Sequence, residues 1–200
     1  MKRIGVYGGT FNPIHVAHLI TAEEVCEQMH LDKVMFIPSA NHPLKDSNGL
    51  PDASTRLKMV NLAIEGNTKF ESSDLEIKLP IETKSYTVNT LLLLKEQYKA
   101  EQVKLYLIIG MDNLAELHKW KDPEKLFMLS EVVVINRPGY YIKDVDNEFN
   151  RQVTYVPVTN IDISSTEIRN RILENRSVKY LIPEAVENYI TEHNLYKSNQ

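Results

Sequence analysis

The stretch that decides the fold is residues 2–18, which read KRIGVYGGTFNPIHVAH. Residues 2–7 have the pattern of a short strand, and the strand is predicted to stop at the glycine pair Gly8-Gly9. After Pro13 the apolar residues recur at helical spacing, which predicts a helix. In parallel sheets built from such strand-turn-helix units, ligands bind beyond the carboxyl ends of the strands. The glycine turn is therefore the first candidate ligand site.

Candidate strands and helices alternate along the rest of the chain. Further strands are predicted at 33–38, 70–79, 103–109, 132–135 and 153–158. Helices are predicted at 87–98 and 113–120, and after Asp52, Pro123, Ser164 and Pro183, whereas 39–52 is predicted to be a long loop. This alternation predicts an α/β fold: a Rossmann-like, doubly wound, mostly parallel sheet with helices on both faces. No linker-like composition divides the chain, so residues 1–200 are predicted to form a single domain.

Charge and cysteine content exclude several classes of protein. Lys plus Arg total 23 against 27 for Asp plus Glu, a net charge of −4, whereas a general duplex-binding protein needs a basic surface. The single cysteine, Cys26, excludes an intrachain disulfide and a zinc ribbon of paired cysteines. No apolar run approaches the roughly 18 residues of a membrane span, and the N-terminus lacks the apolar core of a signal peptide. We therefore predict a cytoplasmic protein without nucleic-acid or membrane partners.

Two histidines, His15 and His18, follow the glycine turn three residues apart. On a helix this spacing places both imidazoles on one face, from which they can reach one ligand. Glycines let the backbone approach a ligand closely, and amides at a helix start attract phosphate. The pair thus indicates hydrogen bonding to a phosphoryl group. Two alternatives stay open: a tight turn with one packed and one solvated histidine, and a metal site, although no obvious third ligand is near.

The glycine turn and its histidines resemble the signature G-x-F-x-P-x-[HT]-x-x-H of the nucleotidyltransferase superfamily that adenylylates mononucleotides. The second signature of that superfamily, S-x-T-x-x-R, is matched by Ser164, Thr166 and Arg169. The resemblance implies that His15 and His18 bind the ATP phosphates and stabilise the transferring group. It also implies that Ser164, Thr166 and Arg169 hold the phosphate tail. The other residues that we assign to ATP or its phosphates are Gly8, Gly9, Thr10, Phe11, Ser165, Gly110 and Asp112.

The second signature also has a purely structural interpretation. Ser164 and Glu167 have the spacing of a capping box, in which both side chains satisfy amides at a helix start. The two interpretations are compatible, because one hydroxyl can cap while neighbouring amides and Arg169 face phosphate. We favour Arg169 and Thr166 over Ser164 as phosphate ligands.

Within the superfamily the chain is most similar to the bacterial nicotinate-nucleotide adenylyltransferases, which make deamido-NAD. His15 favours this branch, because the pantetheine-phosphate relatives usually carry Thr there. In the family, the segments that match Ser85-Tyr86-Thr87 and Trp120 recognise nicotinate. Free amides and a hydroxyl before a predicted helix suit a carboxylate, and the flat face of Trp120 can stack on a pyridine ring. The alternatives are a plain N-cap at Thr87 and a core anchor at Trp120.

Four more residues are candidates from their surroundings. Asp112 follows a glycine at a strand end, where a carboxylate can bind ribose hydroxyls, although it can equally cap a helix. Lys45, in the predicted loop, is assigned to catalysis as a point charge on phosphate, with a solvated lysine as the alternative. Arg56 and Arg137 are candidate anion contacts, although a helix-surface or turn position explains each almost as well.

The chain departs from the family pattern at three places near the site. Asn12 stands where the family usually has Asp, and Ala17 where it usually has Gly. Leu44 stands where the substrate loop often carries His, which leaves more of the phosphate contact of that loop to Lys45.

The resemblance implies direct adenylyl transfer from ATP to nicotinate mononucleotide, which gives deamido-NAD and pyrophosphate. The attacking phosphate is already ionised near neutral pH, so positioning and charge stabilisation are expected to dominate. Mg²⁺ is expected to bridge the ATP phosphates with few protein ligands, and no metal site built by protein side chains is predicted. The alternatives are an adenylyltransferase for nicotinamide mononucleotide or phosphopantetheine, and a non-catalytic nucleotide-binding regulator. A homo-oligomer is also compatible with the sequence.

Overall fold

A computed structural model describes residues 1–41, 51–80, 83–136 and 149–197 of the chain. Within these ranges the strands are β1 (Lys2–Gly9), β2 (Lys33–Pro38), β3 (Phe70–Ser72), β4 (Val103–Gly110), β5 (Glu131–Ile135) and β6 (Thr154–Val156). The helices are α1 (Val16–Gln28), α2 (Ala53–Ile64), α3 (Thr87–Gln97), α4 (Met111–Ala115), α5 (Pro123–Leu129), α6 (Ser165–Leu173) and α7 (Glu184–Glu192), and a 3₁₀ turn at Leu117–Lys119 follows α4.

The six strands form one sheet in the order β3-β2-β1-β4-β5-β6. Every pair in this order is parallel; in the register of the centre, Val6 lies opposite both Met35 and Leu107. The chain runs outward from β1 to β3 and then returns to place β4 beside β1. In doubly wound sheets such a reversal opens a crevice beyond the carboxyl ends of the strands. The predicted Rossmann-like fold is confirmed, with a fully parallel sheet in the described residues.

Each face of the sheet is covered by its own set of helices, as predicted. Along β4, Tyr106 and Ile108 belong to one buried apolar cluster and Leu107 and Ile109 to another, because successive side chains of a strand point to opposite faces. Helices α1, α2, α6 and α7 contribute to the first cluster, and α3, α4 and α5 to the second. Burial of apolar surface, which contributes about 25 cal/mol per Å², holds these helices on the sheet. Because the helices are fixed, their N-terminal ends have fixed positions near the crevice.

Two of the predicted elements, one strand and one helix, have different lengths in the structure. The strand predicted at 70–79 ends at Ser72, because the polar residues after it close local turns instead. There the Lys78 amide donates to the Asp74 carbonyl at 3.1 Å. The helix predicted at 113–120 is divided, since α4 ends at Ala115 and the 3₁₀ turn follows.

The strand predicted at 153–158 is also shorter, and it ends at Val156. Pro157 has no amide hydrogen with which to continue the ladder to β5. The side chain of Asn136 continues the pairing instead: its amide nitrogen donates to the Val158 carbonyl at 2.8 Å, and its oxygen accepts from the Val158 amide at 2.6 Å. This side chain holds the segment that leads to α6 beside the crevice.

Candidate active site

A cavity of about 690 Å³ lies beyond the carboxyl ends of the central strands. Small-molecule sites typically have roughly 300–1,000 Å³. Its lining includes all the predicted site residues that the structure describes except Arg56: Gly8, Gly9, Thr10, Phe11, His15, His18, Ser85, Tyr86, Thr87, Gly110, Asp112, Trp120, Ser164, Ser165, Thr166 and Arg169. Lys45 and Arg137 lie outside the described residues. The fold therefore brings residues from both ends of the chain into one cavity.

The two histidines form a stacked pair rather than two independent side chains. Their ring centroids lie 3.7 Å apart, with an angle of 27° between the ring planes. His15 is the N-cap of α1 and not, as the spacing suggested, a residue inside the helix. Its amide donates to Nδ1 of His18 at 3.2 Å, so the neutral imidazole of His18 carries its hydrogen on Nε2. An Nε2–H group is a hydrogen-bond donor, the kind of group that an oxygen of a ligand accepts from.

Phe11 fixes the orientation of the His18 ring. The two rings meet edge to face, with centroids 5.2 Å apart. Phe11 has a φ of 48°, a left-handed conformation that is uncommon for a bulky residue. A Cβ atom at Gly9 would lie 3.0 Å from the Phe11 ring, so any larger residue would crowd this ring. The glycine turn therefore positions the Phe11 ring, and the Phe11 ring in turn packs against His18.

The start of α6 docks onto the same turn from the other end of the chain. Ser164 accepts a hydrogen bond from the Glu167 amide at 3.1 Å, which confirms its capping role. The Ser165 hydroxyl donates to the Pro13 carbonyl at 2.9 Å. The Arg169 guanidinium donates to the Asn12 carbonyl at 2.9 Å and to the Thr166 hydroxyl at 3.3 Å. Capping and the contacts of the guanidinium thus use different side chains of one motif.

Arg56 lies behind the cavity wall instead of contacting an anion. It is 4% exposed, and its guanidinium donates to three carbonyls, at 2.6 Å to Thr10, 2.7 Å to Ser39 and 3.1 Å to Pro51. Burial lowers the pKa of Arg56. The sequence does carry a signal for this position, because helical spacing places Arg56 on the same face as the buried Met59.

At the opposite end of the cavity, α3 begins with Tyr86 as its N-cap. Thr87 is the first helical residue and not the cap, so the N-cap alternative for Thr87 is wrong. No side chain among the described residues caps this helix, and the Asn89 amide donates to the Tyr86 carbonyl at 2.9 Å. The amides of Thr87 and Val88, which have no acceptor among the described residues, are the donors that suit an anion. The backbone there is held by Asn41: the Ser85 amide donates to the Asn41 carbonyl at 2.9 Å, and the Asn41 amide to the Ser85 hydroxyl at 3.0 Å.

Trp120 lies on the same part of the cavity wall, beside a cation. It follows the 3₁₀ turn, is partly buried and packs against the second apolar cluster, so it anchors this segment to the core and also lines the cavity. The neighbouring Lys121 ammonium lies 4.8 Å from the centroid of the Tyr86 ring. A flat aromatic face, a positive charge and free helix amides therefore lie together at this end.

Asp112 is the second residue of α4 and lines the same cavity. Gly110 is the N-cap of this helix, so the alternative that Asp112 caps it is wrong. A Cβ atom at Gly110 would lie 2.4 Å from Oδ1 of Asp112, so the missing side chain of the glycine makes room for this carboxylate. The lining also holds Glu76, a carboxylate that no sequence motif marks; it is 7% exposed and accepts from the Thr90 hydroxyl at 2.6 Å.

The described residues contain no group of three His, Cys, Asp or Glu side chains that could hold a metal ion. In the same residues, no helix is long and apolar enough to cross a membrane.

Comparison with known proteins gives concordant matches along the chain. A cytidylyltransferase-like family profile matches residues 6–171. A Clostridium novyi (strain NT) protein named "Probable nicotinate-nucleotide adenylyltransferase" is 39% identical over 98% of this chain and 100% of its own length. A protein of the same name from Thermoanaerobacter sp. (strain X514) is 40% identical over 99% of this chain and 96% of its own length.

A solved structure has the same fold. It is described as "Plasmodium falciparum nicotinic acid mononucleotide adenylyltransferase complexed with NaAD", and it superposes with a TM-score of 0.79 over 98% of each chain at 22% identity. Both signatures, around His18 and Arg169, lie within the range that the family profile matches. The chain belongs to the cytidylyltransferase-like family and, within it, to the nicotinate-nucleotide adenylyltransferases.

Proposed function

We propose that the protein transfers the adenylyl group of ATP to nicotinate mononucleotide, forming deamido-NAD (nicotinate adenine dinucleotide) and releasing pyrophosphate. The observation that carries the proposal is the convergence of the His15–His18 pair and Arg169 at one end of a single cavity. The names of full-length relatives support the same activity. The other end of that cavity, at α3 and Trp120, has groups that suit a nicotinate.

The phosphate end would act through positioning and charge. An oxygen of the mononucleotide 5′-phosphate attacks the α-phosphorus of ATP, the bond to the bridging oxygen of the β-phosphate breaks, and pyrophosphate leaves. The Nε2 hydrogen of His18 and the free N–H groups of Arg169 are donors for the phosphoryl oxygens. Because Asn12 and Thr166 already hold the guanidinium, these donors need little rearrangement during the reaction.

The nicotinate end would select the mononucleotide. The first amides of α3 and the nearby ammonium of Lys121 would stabilise a bound carboxylate by hydrogen bonding and by charge. They would stabilise a neutral carboxamide less. Trp120 offers its face to the pyridine ring. This arrangement supports a preference for the acid over the amide.

We propose that Mg²⁺ enters with ATP. The ion prefers oxygen ligands and usually binds substrate phosphates while keeping several waters. Beside the proposed phosphate position the cavity presents imidazoles, backbone amides and a guanidinium, which are donors suited to phosphate and not ligands for Mg²⁺. Mg²⁺ neutralises phosphate charge when bound. Asp112, near the strand end, is assigned to ribose hydroxyls, and Lys45 to phosphate.

In the test, purified protein is mixed with ATP and either nicotinate mononucleotide or nicotinamide mononucleotide, in parallel assays. Pyrophosphate release is measured in each. We expect rapid release with the acid and a kcat/KM at least about tenfold lower with the amide, because one charge-assisted contact differs. A preference for the amide would contradict the carboxylate assignment at α3.

A phosphopantetheine assay in the same series addresses the remaining enzymatic alternative. A non-catalytic regulator would bind ATP without releasing pyrophosphate with any of the three acceptors. Cytoplasmic location and homo-oligomer formation stay predictions, which cell fractionation and light scattering of the purified protein would test.

A further inference from the structure

The signature turn is held from behind by a residue close to the end of the described chain. The Tyr196 hydroxyl donates to Oδ1 of Asn12 at 2.6 Å, across 184 residues. Asn12 is 3% exposed, so the bond lies inside the protein. This contact is not part of either signature, and local spacing in the sequence gives no indication of it.

The same asparagine supports Arg169 on its other side. Its backbone carbonyl accepts from the Arg169 guanidinium at 2.9 Å. One residue thus receives a hydroxyl through its side chain and a guanidinium through its backbone. If loss of the Tyr196 bond lets Asn12 move as a residue, its carbonyl moves too, and the Arg169 guanidinium loses a fixed acceptor. The contacts therefore connect Tyr196 to Arg169 in two steps.

The surroundings of Tyr196 suit a fixed donor. Leu195 and Tyr196 pack against the apolar cluster under α7, and the Leu195 amide donates to the Ile190 carbonyl at 3.0 Å. Burial raises the pKa of Tyr196, while the charges of Arg169 and Arg56 lower it by less. The hydroxyl therefore stays protonated at neutral pH and keeps donating to Asn12.

We propose that Tyr196 is a positioning residue for adenylyl transfer, whose hydroxyl sets Asn12 and thereby orients Arg169 toward the ATP phosphates. The inference rests on the proposed function for its link to adenylyl transfer. Asn12 takes part through an acceptor oxygen, so the Asp that the family usually has at this position can make the same contact.

The test measures the dissociation constant of ATP by calorimetry, and the KM of each substrate, for wild type and Tyr196→Phe. We expect ATP to bind about tenfold more weakly in Tyr196→Phe, a change of the size that loss of one buried hydrogen bond gives. The KM for nicotinate mononucleotide should change less than about twofold, because the bond lies at the phosphate end. The matched control is Tyr180→Phe, which removes a hydroxyl from a side chain that is 82% exposed.

A double-mutant cycle distinguishes positioning from general support of the fold. Tyr196→Phe should weaken ATP binding less than about twofold further in an Arg169→Lys background, since the hydroxyl acts through that guanidinium. Two results would overturn the proposal. In the first, the double variant binds ATP more weakly by the product of the factors of the two single variants. In the second, Tyr196→Phe binds ATP as tightly as wild type. If Tyr196→Phe does not fold, Asn12→Ala breaks the same bond and must show the same loss, while Asn12→Asp must retain wild-type affinity.

The calorimetric measurement needs no mononucleotide. If wild type binds ATP but does not make deamido-NAD, the proposed function fails while the cycle still tests the contact of Tyr196 with Arg169 through Asn12.

Discussion

The two ends of the cavity are built in different ways. At the phosphate end, side chains that are distant in sequence hold one short turn: Arg56, Ser165, Arg169 and Tyr196 bind the backbone or side chains of Thr10, Asn12 and Pro13. At the nicotinate end, the groups are the first amides of α3, the half-buried Trp120 and the ammonium of Lys121. The first end is a short turn fixed by several long-range side-chain bonds. At the second end the bonds of Asn41 with Ser85 hold the backbone before α3, and surface side chains supply the other groups.

This difference matches two separate demands on such a site. Stabilisation of charge on a transferring phosphoryl group needs donors that are already in place, because their reorganisation would raise the barrier. Recognition of a ring and its carboxylate needs only a matching surface. We therefore expect substitutions at the phosphate end to reduce turnover, stability or the affinity for ATP, and substitutions at the nicotinate end to change the affinity for the mononucleotide.

The largest effect is expected at the centre of the phosphate end. His18→Ala removes one of the proposed donors to the phosphoryl oxygens and should lower kcat by about 10²- to 10³-fold. The melting temperature should stay close to that of wild type. The matched control, His193→Ala, removes an exposed imidazole that contacts the Tyr189 carbonyl. Pyrophosphate release measures both, and a near-normal rate in His18→Ala would show that the pair has no phosphate role.

A large loss of stability is expected where the turn is held from behind. Arg56→Met leaves the carbonyls of Thr10, Ser39 and Pro51 without their donor, and should lower the free energy of unfolding by about 3 kcal/mol. Urea denaturation measures the loss. Lys58→Met, at an exposed position of the same helix, is the control and should change stability little. If Arg56→Met and Lys58→Met were equally stable, the bonds of Arg56 would not be what stabilises the turn at the phosphate end.

A smaller, substrate-specific effect is expected at the nicotinate end. Trp120→Ala removes a stacking face and should raise the KM for nicotinate mononucleotide by about tenfold, with the KM for ATP unchanged within about twofold. Trp120→Phe should retain most of the affinity. Steady-state kinetics with each substrate varied separately measures the difference. A rise in the KM for ATP of the same size would mean that the two ends are not separate.

The smallest effect is expected outside the cavity, at the cap of the helix that carries Arg56. The Asp52 carboxylate accepts from the Thr55 amide at 2.6 Å, and this bond lowers the pKa of Asp52. Asp52→Ala should reduce stability by about 1 kcal/mol.

The cap also gives the stability a defined pH dependence. Because the folded pKa is lowered, the charge of Asp52 stabilises the protein above its unfolded pKa of about 3.9 and ceases to do so as pH falls through the folded value. Urea melts at pH 7 and pH 3 should show a smaller difference between wild type and Asp52→Ala in acid. A constant difference would show that the charge contributes nothing.

The sequence predicts the features that depend on local spacing. The strand-helix alternation gives the sheet, Asp52 and Ser164 are caps as their positions indicate, and the two signatures meet in one cavity. It does not predict features that depend on contacts between distant residues. The bonds of Arg56 to Thr10 and of Tyr196 to Asn12 join residues 46 and 184 positions apart, and no local pattern encodes them. The end of β3 at Ser72 depends on competing turns, which apolar patterning does not report.

The order of the sheet has a consequence for how the protein is made. Because β1 lies beside β4 and the turn after β1 receives Arg169, a nascent chain that has emerged only as far as α3 carries the imidazoles without the guanidinium. Ligands stabilise only molecules in which a complete binding surface has formed. Nucleotides in the surrounding solution would therefore stabilise finished polypeptides and leave prematurely terminated ones without that protection.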